Sequence, residues 1–140
     1  MRDWLRHHPD VKTIRVAAAD LNGQPRGKRI PTRFAEKLVK DGTRFPYSVM
    51  NLDIWGEDIE DSPLLFESGD ADGVLKPTDR GFLPMPWLEA PTALLPIWMF
   101  HEDGTPFEGD PRHALANVVR KFHAKGMRPA LFEVDQRGRK

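Results

Sequence analysis

A single aspartate, Asp53, stands among apolar residues just before Trp55 and Gly56. A carboxylate that is partly buried beside an aromatic ring can bind a cationic or amine ligand. An aspartate in this context can also simply start a turn, and that role is the commoner one for the local sequence alone. Asp53 is therefore a candidate ligand-binding residue with a structural alternative.

Two further carboxylates, Glu133 and Asp135, are separated by one residue on a predicted strand over 130–135. On a strand their side chains project from the same face, and this arrangement suits a hard cation such as Mg²⁺. Two carboxylates rarely complete a magnesium site, so alternating charges on a solvent-facing strand edge remain the alternative. The pair is a candidate metal site.

Three basic residues, Arg26, Lys28 and Arg29, lie close together near Gly23 and Gly27. Guanidinium groups and closely approaching backbone amides suit a phosphate or a carboxylate. A solvated strand with ordinary surface charges explains the same residues. The segment is therefore a candidate anion site.

A β-hairpin must position the basic residues. Residues 12–19 alternate between apolar and other side chains, which predicts a half-buried strand with Ile14, Val16 and Ala18 on one face. Residues 20–23 predict a turn, and residues 26–30 predict the returning strand.

Helices are predicted on either side of a proline-rich middle region. The first begins near Pro31, carries Phe34, Leu38 and Val39 on one side, and stops at Gly42. Between them, short apolar runs interrupted by prolines predict strands at sheet edges, or prolines at strand ends. The second helix has Asp110 as its cap, and its apolar positions have helical spacing: Leu115, Val118, Val119 and Phe122. This order predicts an α+β fold, a sheet with helices packed on it.

The composition narrows the function. The 140 residues include 21 lysines and arginines against 21 aspartates and glutamates, so no overall charge favours nucleic acid or an acidic membrane surface. There is no cysteine, which excludes disulfides and thiolate metal sites. No apolar run resembles a signal peptide or a membrane span. We therefore expect a cytoplasmic protein that binds neither nucleic acid nor membranes.

Several segments, taken in order, resemble the amino-terminal part of glutamine synthetase-family ligases, especially the branch with the gamma-glutamylpolyamine synthetases. The matching stretches are residues 20–23 with 26–31, residues 45–54, and residues 103–107 with 110–112. The resemblance implies a β-grasp-like mixed sheet with helices packed on it. It also implies three parts: an N-terminal helical segment over 1–10, the β-grasp domain over 11–128, and a truncated start of the catalytic domain over 129–140.

The resemblance further implies an enzyme family that joins glutamate to ammonia or an amine, with ATP and Mg²⁺ (or Mn²⁺). Asp53 falls where the family binds the ammonium or amine, and Glu133 and Asp135 fall at two metal-binding positions, with aspartate replacing the second glutamate. The partner implied is the catalytic domain of a neighbouring subunit in a homo-oligomer. The segment after Asp53 departs from the aspartate-glycine-serine-serine pattern of bacterial glutamine synthetases, which leaves room for a larger amine.

Alone, this chain is expected to bind no ATP or metal and to have no ligase activity, because the nucleotide site would lie in the catalytic domain. An alternative is a non-enzymatic β-grasp binding or regulatory module, or the product of a decayed gene. A weaker alternative is a carboxylate or phosphate binder built on the Arg26–Arg29 hairpin.

Overall fold

The computed structural model describes residues 2–66 and 69–130. Within them the strands are β1 (Thr13–Ala19), β2 (Pro25–Pro31), β3 (Thr43–Pro46), β4 (Asp72–Pro77), β5 (Leu83–Pro84) and β6 (Thr92–Phe100). The α-helices are α1 (Arg2–Arg6), α2 (Ala35–Asp41), α3 (Pro63–Phe66) and α4 (Pro111–Ala124), and short 3₁₀ helices span Thr32–Phe34 and Tyr47–Asn51. Residues 131–135 of the strand predicted over 130–135, including Glu133 and Asp135, lie outside the described residues.

One mixed sheet organises the chain, in the order β2-β1-β6-β4-β3, with β5 also paired to β6. Strand β1 is antiparallel to β2 and parallel to β6. Strand β4 is antiparallel to both β6 and β3. Because helices accompany a mixed sheet, the predicted α+β class is confirmed.

The predicted hairpin is confirmed. Side chains of β1 alternate between half-buried and buried, with Ile14, Val16 and Ala18 in the core. Gly23 has a φ of 75° in the turn, which a glycine adopts without steric cost. The alternation therefore places successive β1 side chains on opposite faces of the sheet.

The central strand contradicts the expectation that prolines would confine these strands to edges or strand ends. Pro96 lies inside β6, the middle strand of the sheet. Its position explains the exception, because the pairing with β1 ends at Pro96 and the pairing with β4 begins at Ile97. Its carbonyl still accepts a hydrogen bond from the Thr78 amide at 2.9 Å. The missing N–H of Pro96 is tolerated because the residue lies where the hydrogen-bonded pairing with β1 ends and the pairing with β4 begins.

The first predicted helix is confirmed with one correction. Helix α2 ends at Asp41, the φ of 75° at the following Gly42 fits a glycine stop, and Leu38 is buried. The sequence predicts Phe34 on the same apolar side, but Phe34 is about half exposed. The reason is that residues 32–34 form a separate 3₁₀ turn, so Phe34 does not share the angular period of α2.

A single hydrophobic cluster fills the interior between the sheet and the shorter elements. Its largest fully buried members come from the sheet and from the 3₁₀ helix that follows β3: Ile14, Val16, Met50, Leu75, Leu95, Ile97 and Met99. Trp4 and Leu5 of α1 pack against this cluster. No helix in the described ranges is long and apolar enough to cross a membrane.

Helix α4 is confirmed with Asp110 as its cap. The Asp110 carboxylate accepts hydrogen bonds from the Arg112 amide at 2.8 Å and from the Met99 amide at 2.9 Å. His113 is buried beneath the helix, and its Nε2 lies 2.8 Å from the Met99 carbonyl oxygen. Hydrogen bonds of Asp110 and His113 with the Met99 backbone, together with ring contacts of His113 with Trp98 and Phe100, thus attach α4 to β6. Of the apolar residues at helical spacing, Leu115, Val118 and Phe122 are exposed instead, with Leu115 64% exposed, and Val119 is half-buried.

We expect Asp110→Ala to lower the free energy of unfolding by about 2 kcal/mol, because it removes a helix cap and leaves the buried Met99 amide without its acceptor. Urea denaturation followed by circular dichroism measures the change. Asp103→Ala is the matched control, since Asp103 makes a similar turn contact with Thr105 at the surface. Equal small losses in both variants would contradict the anchoring role.

Candidate functional site

Asp20 organises the end of the β1–β2 hairpin. Its side chain is fully buried, and its Oδ1 accepts hydrogen bonds from the amides of Asn22 and Gln24, both at 2.8 Å. Its Oδ2 accepts from Nε of Arg26 at 2.8 Å. Burial alone would raise the pKa of the Asp20 carboxyl, but the hydrogen bonds from Arg26, Gln24 and Asn22 outweigh burial and lower it. Asp20 is therefore ionised and tied to Arg26.

The hairpin turn also holds the segment that contains Asp53. The Leu21 amide donates to the Met50 carbonyl oxygen at 3.0 Å. Nδ2 of Asn22 donates to the carbonyl oxygens of Leu52 at 2.8 Å and Asp53 at 3.2 Å. A tight turn thus fixes the backbone of a segment about thirty residues away in the chain.

Asp53 closes a compact turn. Its Oδ1 accepts hydrogen bonds from the amides of Trp55 at 2.8 Å and Glu57 at 2.9 Å. Among the described residues its Oδ2 accepts no hydrogen bond. The backbone hydrogen bond from Glu57 has the largest effect on the pKa of Asp53 and lowers it. Burial has the second-largest effect and raises it, and the amides of Trp55 and Gly56 and the charge of Arg26 lower it further, so the pKa lies below its ordinary value. The structural alternative for Asp53 is thus realised, and its second carboxylate oxygen has no hydrogen-bond donor within residues 2–66 and 69–130.

Arg26 connects the buried aspartate with this turn. A Cβ placed on Gly56 would lie 2.7 Å from Nη1 of Arg26, and Gly56 has a φ of 89°. Both facts favour glycine at this position, because an L side chain would be strained and would meet the guanidinium group. Asp20, Arg26 and the Asp53 turn therefore form one cluster, which we call the hairpin cluster.

The three basic residues of the predicted anion site do not converge. Arg26 donates a hydrogen bond to Asp20. Nζ of Lys28 donates to the Arg44 carbonyl oxygen at 2.9 Å and lies 4.6 Å from the centre of the Phe45 ring. Arg29 is on the opposite face of β2, because successive side chains alternate on a strand. The predicted site of these three residues is therefore wrong as a single cluster.

Known proteins resemble this chain in amino-acid sequence. No family model matches the chain. The gamma-glutamylputrescine synthetase of Escherichia coli (strain K12) is 32% identical over 131 residues, which are 94% of this chain and 28% of that protein. The chain matches the amino-terminal portion of glutamine synthetase-family ligases. The glutamine synthetase of Pyrococcus abyssi (strain GE5 / Orsay) is 29% identical over 84% of this chain and 23% of that protein. The glutamate–isopropylamine ligase of a Pseudomonas species is 27% identical over 90% of this chain and 28% of that protein.

Solved structures of the glutamine synthetase family confirm the fold. A glutamine synthase homologue aligns over 82% of this chain and 27% of its own, with a TM-score of 0.70 and 22% identity. A ligand-free GmaS structure aligns over 86% of this chain and 25% of its own, with a TM-score of 0.66 and 25% identity. The chain thus spans about a quarter of the length of these relatives, in their amino-terminal portion. The expected α+β, β-grasp-like class is confirmed.

The resemblance to the glutamine synthetase family implies a metal-binding role for one pair of carboxylates. Glu133 and Asp135 lie outside the described residues. Within residues 2–66 and 69–130, no group of three or more histidines, aspartates and glutamates is arranged to hold a metal ion. The metal pair stays a prediction.

Sequence reasoning missed Asp20 as a residue of the hairpin cluster. The sequence indicates Asp20 only as part of a turn and of the matching stretch over residues 20–23. The usable signal was the aspartate followed by amides two and four residues later, which a carboxylate can accept in an Asx-type turn. Nothing local indicated that its second oxygen would bind Arg26.

Proposed function

We propose that this domain forms the amine-binding side of the active site in an ATP-dependent glutamate ligase, and that Asp53 holds the attacking nitrogen. The observation that carries the proposal is the carboxylate of Asp53, which is fixed by two amides through Oδ1 and has an unused Oδ2 within the described structure. A rigid, ionised oxygen can accept a hydrogen bond from an ammonium or alkylammonium group.

The lowered pKa of Asp53 favours holding the amine over deprotonating it. A general base works best when its pKa is near the working pH, and the pKa of this carboxyl is below the ordinary value of an aspartate. We therefore assign Asp53 an electrostatic and orienting role. The proton of the attacking amine would leave to another acceptor or to water.

The surroundings of Asp53 fit an amine that carries an alkyl group. Ile54 and Trp55 are both exposed beside the carboxylate, and Trp55 is 83% exposed. An indole face attracts a cation and offers apolar contact to a hydrocarbon chain. Two relatives support this choice by their names, a gamma-glutamylputrescine synthetase and a glutamate–isopropylamine ligase. Ammonia remains the smaller candidate substrate.

The other components of the proposed reaction lie beyond the hairpin cluster. We assign glutamate, ATP and Mg²⁺ or Mn²⁺ to the catalytic domain of a neighbouring subunit in a homo-oligomer. Bound ATP would supply the phosphoryl group that activates the glutamate carboxylate. The largely exposed apolar residues of α4 support contact with further polypeptide, since such patches mark interaction surfaces. Glu133 and Asp135 are the proposed metal-binding contribution of this chain.

A titration of the isotope-labelled chain with putrescine and isopropylamine tests the role of Asp53. We expect saturable shifts of the Trp55, Gly56 and Glu57 amide signals, and binding at least about tenfold weaker in Asp53→Asn, since a charge-assisted hydrogen bond is lost. Asp58→Asn is the matched control, because Asp58 lies exposed in the same loop. A neutral alcohol of similar shape is expected to leave these signals in place.

Equal amine binding by the parent and by Asp53→Asn would contradict the proposal. A coupled ATP-hydrolysis assay with glutamate, Mg²⁺ and amine provides the second measurement. The chain alone is expected to be silent. Turnover by the chain alone would show that the active site is built differently from the shared arrangement proposed here.

A further inference from the structure

The face of the hairpin that points away from the core carries two arginines side by side. Ile14, Val16 and Ala18 face the core, so Arg15 and Ala17 project from the opposite face of β1. The register pairs Arg15 with Arg29 and Ala17 with Gly27. Directly opposed residues of antiparallel strands share a face, with Cβ atoms about 5 Å apart. Arg15 and Arg29 are therefore immediate neighbours.

These two arginines lack the partners that the other hairpin cations have. Arg26 binds Asp20, and Lys28 binds the Arg44 carbonyl oxygen. Within the described part of the chain, neither Arg15 nor Arg29 makes an ion pair or a side-chain hydrogen bond. Like charges placed directly opposite each other destabilise a sheet. The pair thus carries an unfavourable repulsion, and no acidic group of the described residues forms an ion pair with it.

An open groove lies over the arginine pair, with a volume of about 430 Å³. Space for the groove exists because the next pair on this face is Ala17 and Gly27, whose side chains are small or absent. Leu94 and Trp87 supply apolar surface, and Trp87 is 69% exposed. We call this feature the outer groove. It combines two cations with an exposed aromatic plane.

We propose that the outer groove binds a small organic dianion that carries carboxylate or phosphate groups. Each guanidinium fork can bind one such group with two parallel hydrogen bonds, and two opposed cations are neutralised best by two negative charges. The carbon skeleton of the ligand would contact Trp87 and Leu94. The site is separate from the hairpin cluster, since Arg26 and Asp20 lie on the core side of the same hairpin.

Isothermal titration with glutarate, phenyl phosphate and the neutral diamide of glutarate tests the proposal on the full chain. We expect one saturable site for at least one of the two dianions and no binding of the diamide. Glutarate binding identifies a carboxylate ligand, and phenyl phosphate binding identifies a phosphate ligand. Arg15→Gln and Arg29→Gln are each expected to weaken binding by about tenfold, and the double variant to abolish it.

Arg112→Gln is the matched control, because Arg112 is an exposed arginine that does not line the outer groove. Removing one of two opposed like charges is expected to leave the melting temperature of the unliganded chain equal or raised. Loss of binding with an unchanged or higher melting temperature therefore excludes unfolding as the cause. Failure of both dianions to bind the parent, or equal binding by the double variant, would overturn the proposal, and neither result bears on Asp53.

Discussion

Replacing Asp20 with alanine is expected to lower the free energy of unfolding by about 3 kcal/mol, because the change removes a buried carboxylate with three hydrogen bonds. The amides of Asn22 and Gln24 lose their acceptor, and Arg26 loses the charge that compensates it. Arg26 is about a quarter exposed, so water replaces part of the lost interaction. Urea denaturation measures the change through the shift of the transition midpoint.

Two variants separate the roles of the Asp20 charge and of its shape. Asp20→Asn preserves the volume but can turn an amide donor toward Nε of Arg26, so we expect a loss close to that of the alanine variant. Asp10→Ala is the control at an exposed aspartate and is expected to change stability by less than about 0.5 kcal/mol. Little effect of either Asp20 variant would contradict a structural role for the buried pair.

The same pair gives stability a defined pH dependence. The pKa of Asp20 is lowered in the folded chain, so its contribution is fully present above the ordinary pKa of an aspartate, about 3.9. The contribution disappears as the pH falls from that value through the lower folded pKa, because the protonated carboxyl no longer pairs with Arg26. The parent is therefore expected to lose stability more steeply below about pH 4 than Asp20→Ala does.

Local patterns predicted those parts of the fold that depend on local physics. The hairpin followed from alternation in β1 and from Gly23, and α4 followed from its cap at Asp110. The central place of β6 did not follow, because Pro96 argues for an edge or a strand end when only its own strand is considered. Its tolerance depends on where two partner strands stop and start, which is a property of the assembled sheet.

The hairpin cluster could be predicted only in part, because it depends both on local sequence and on the register of the assembled sheet. The position of Asp53 and its turn were visible in the sequence, as were the basic residues of β2. The distribution of those cations between two faces depends on register, and the register decides that Arg26 meets Asp20 while Arg29 meets Arg15. Arg15 itself was not singled out, because an isolated arginine within an alternating strand resembles any surface charge.

Replacing Gly27 with alanine is expected to lower the free energy of unfolding by more than about 3 kcal/mol, the largest loss among the substitutions considered. A Cβ at this position would lie 1.6 Å from the Val16 carbonyl oxygen, far inside contact distance. The obstacle is backbone rather than a flexible side chain, and Val16 is almost fully buried, so it cannot shift without disturbing the core. Denaturation and amide hydrogen exchange in β1 and β2 measure the effect.

Gly23→Ala separates this steric effect from the ordinary cost of replacing a glycine. Gly23 has a φ of 75° but no heavy atom within 4 Å of an added Cβ, so only backbone strain of about 1 kcal/mol is expected. Similar losses in the two variants would show that the close approach at Gly27 relaxes easily. A much larger loss for Gly27→Ala would instead show that the tight β1–β2 contact is essential. The hairpin cluster and the outer groove occupy the two faces of that contact, so both would then lose their geometry together, whereas Asp20→Ala would disturb the hairpin cluster alone.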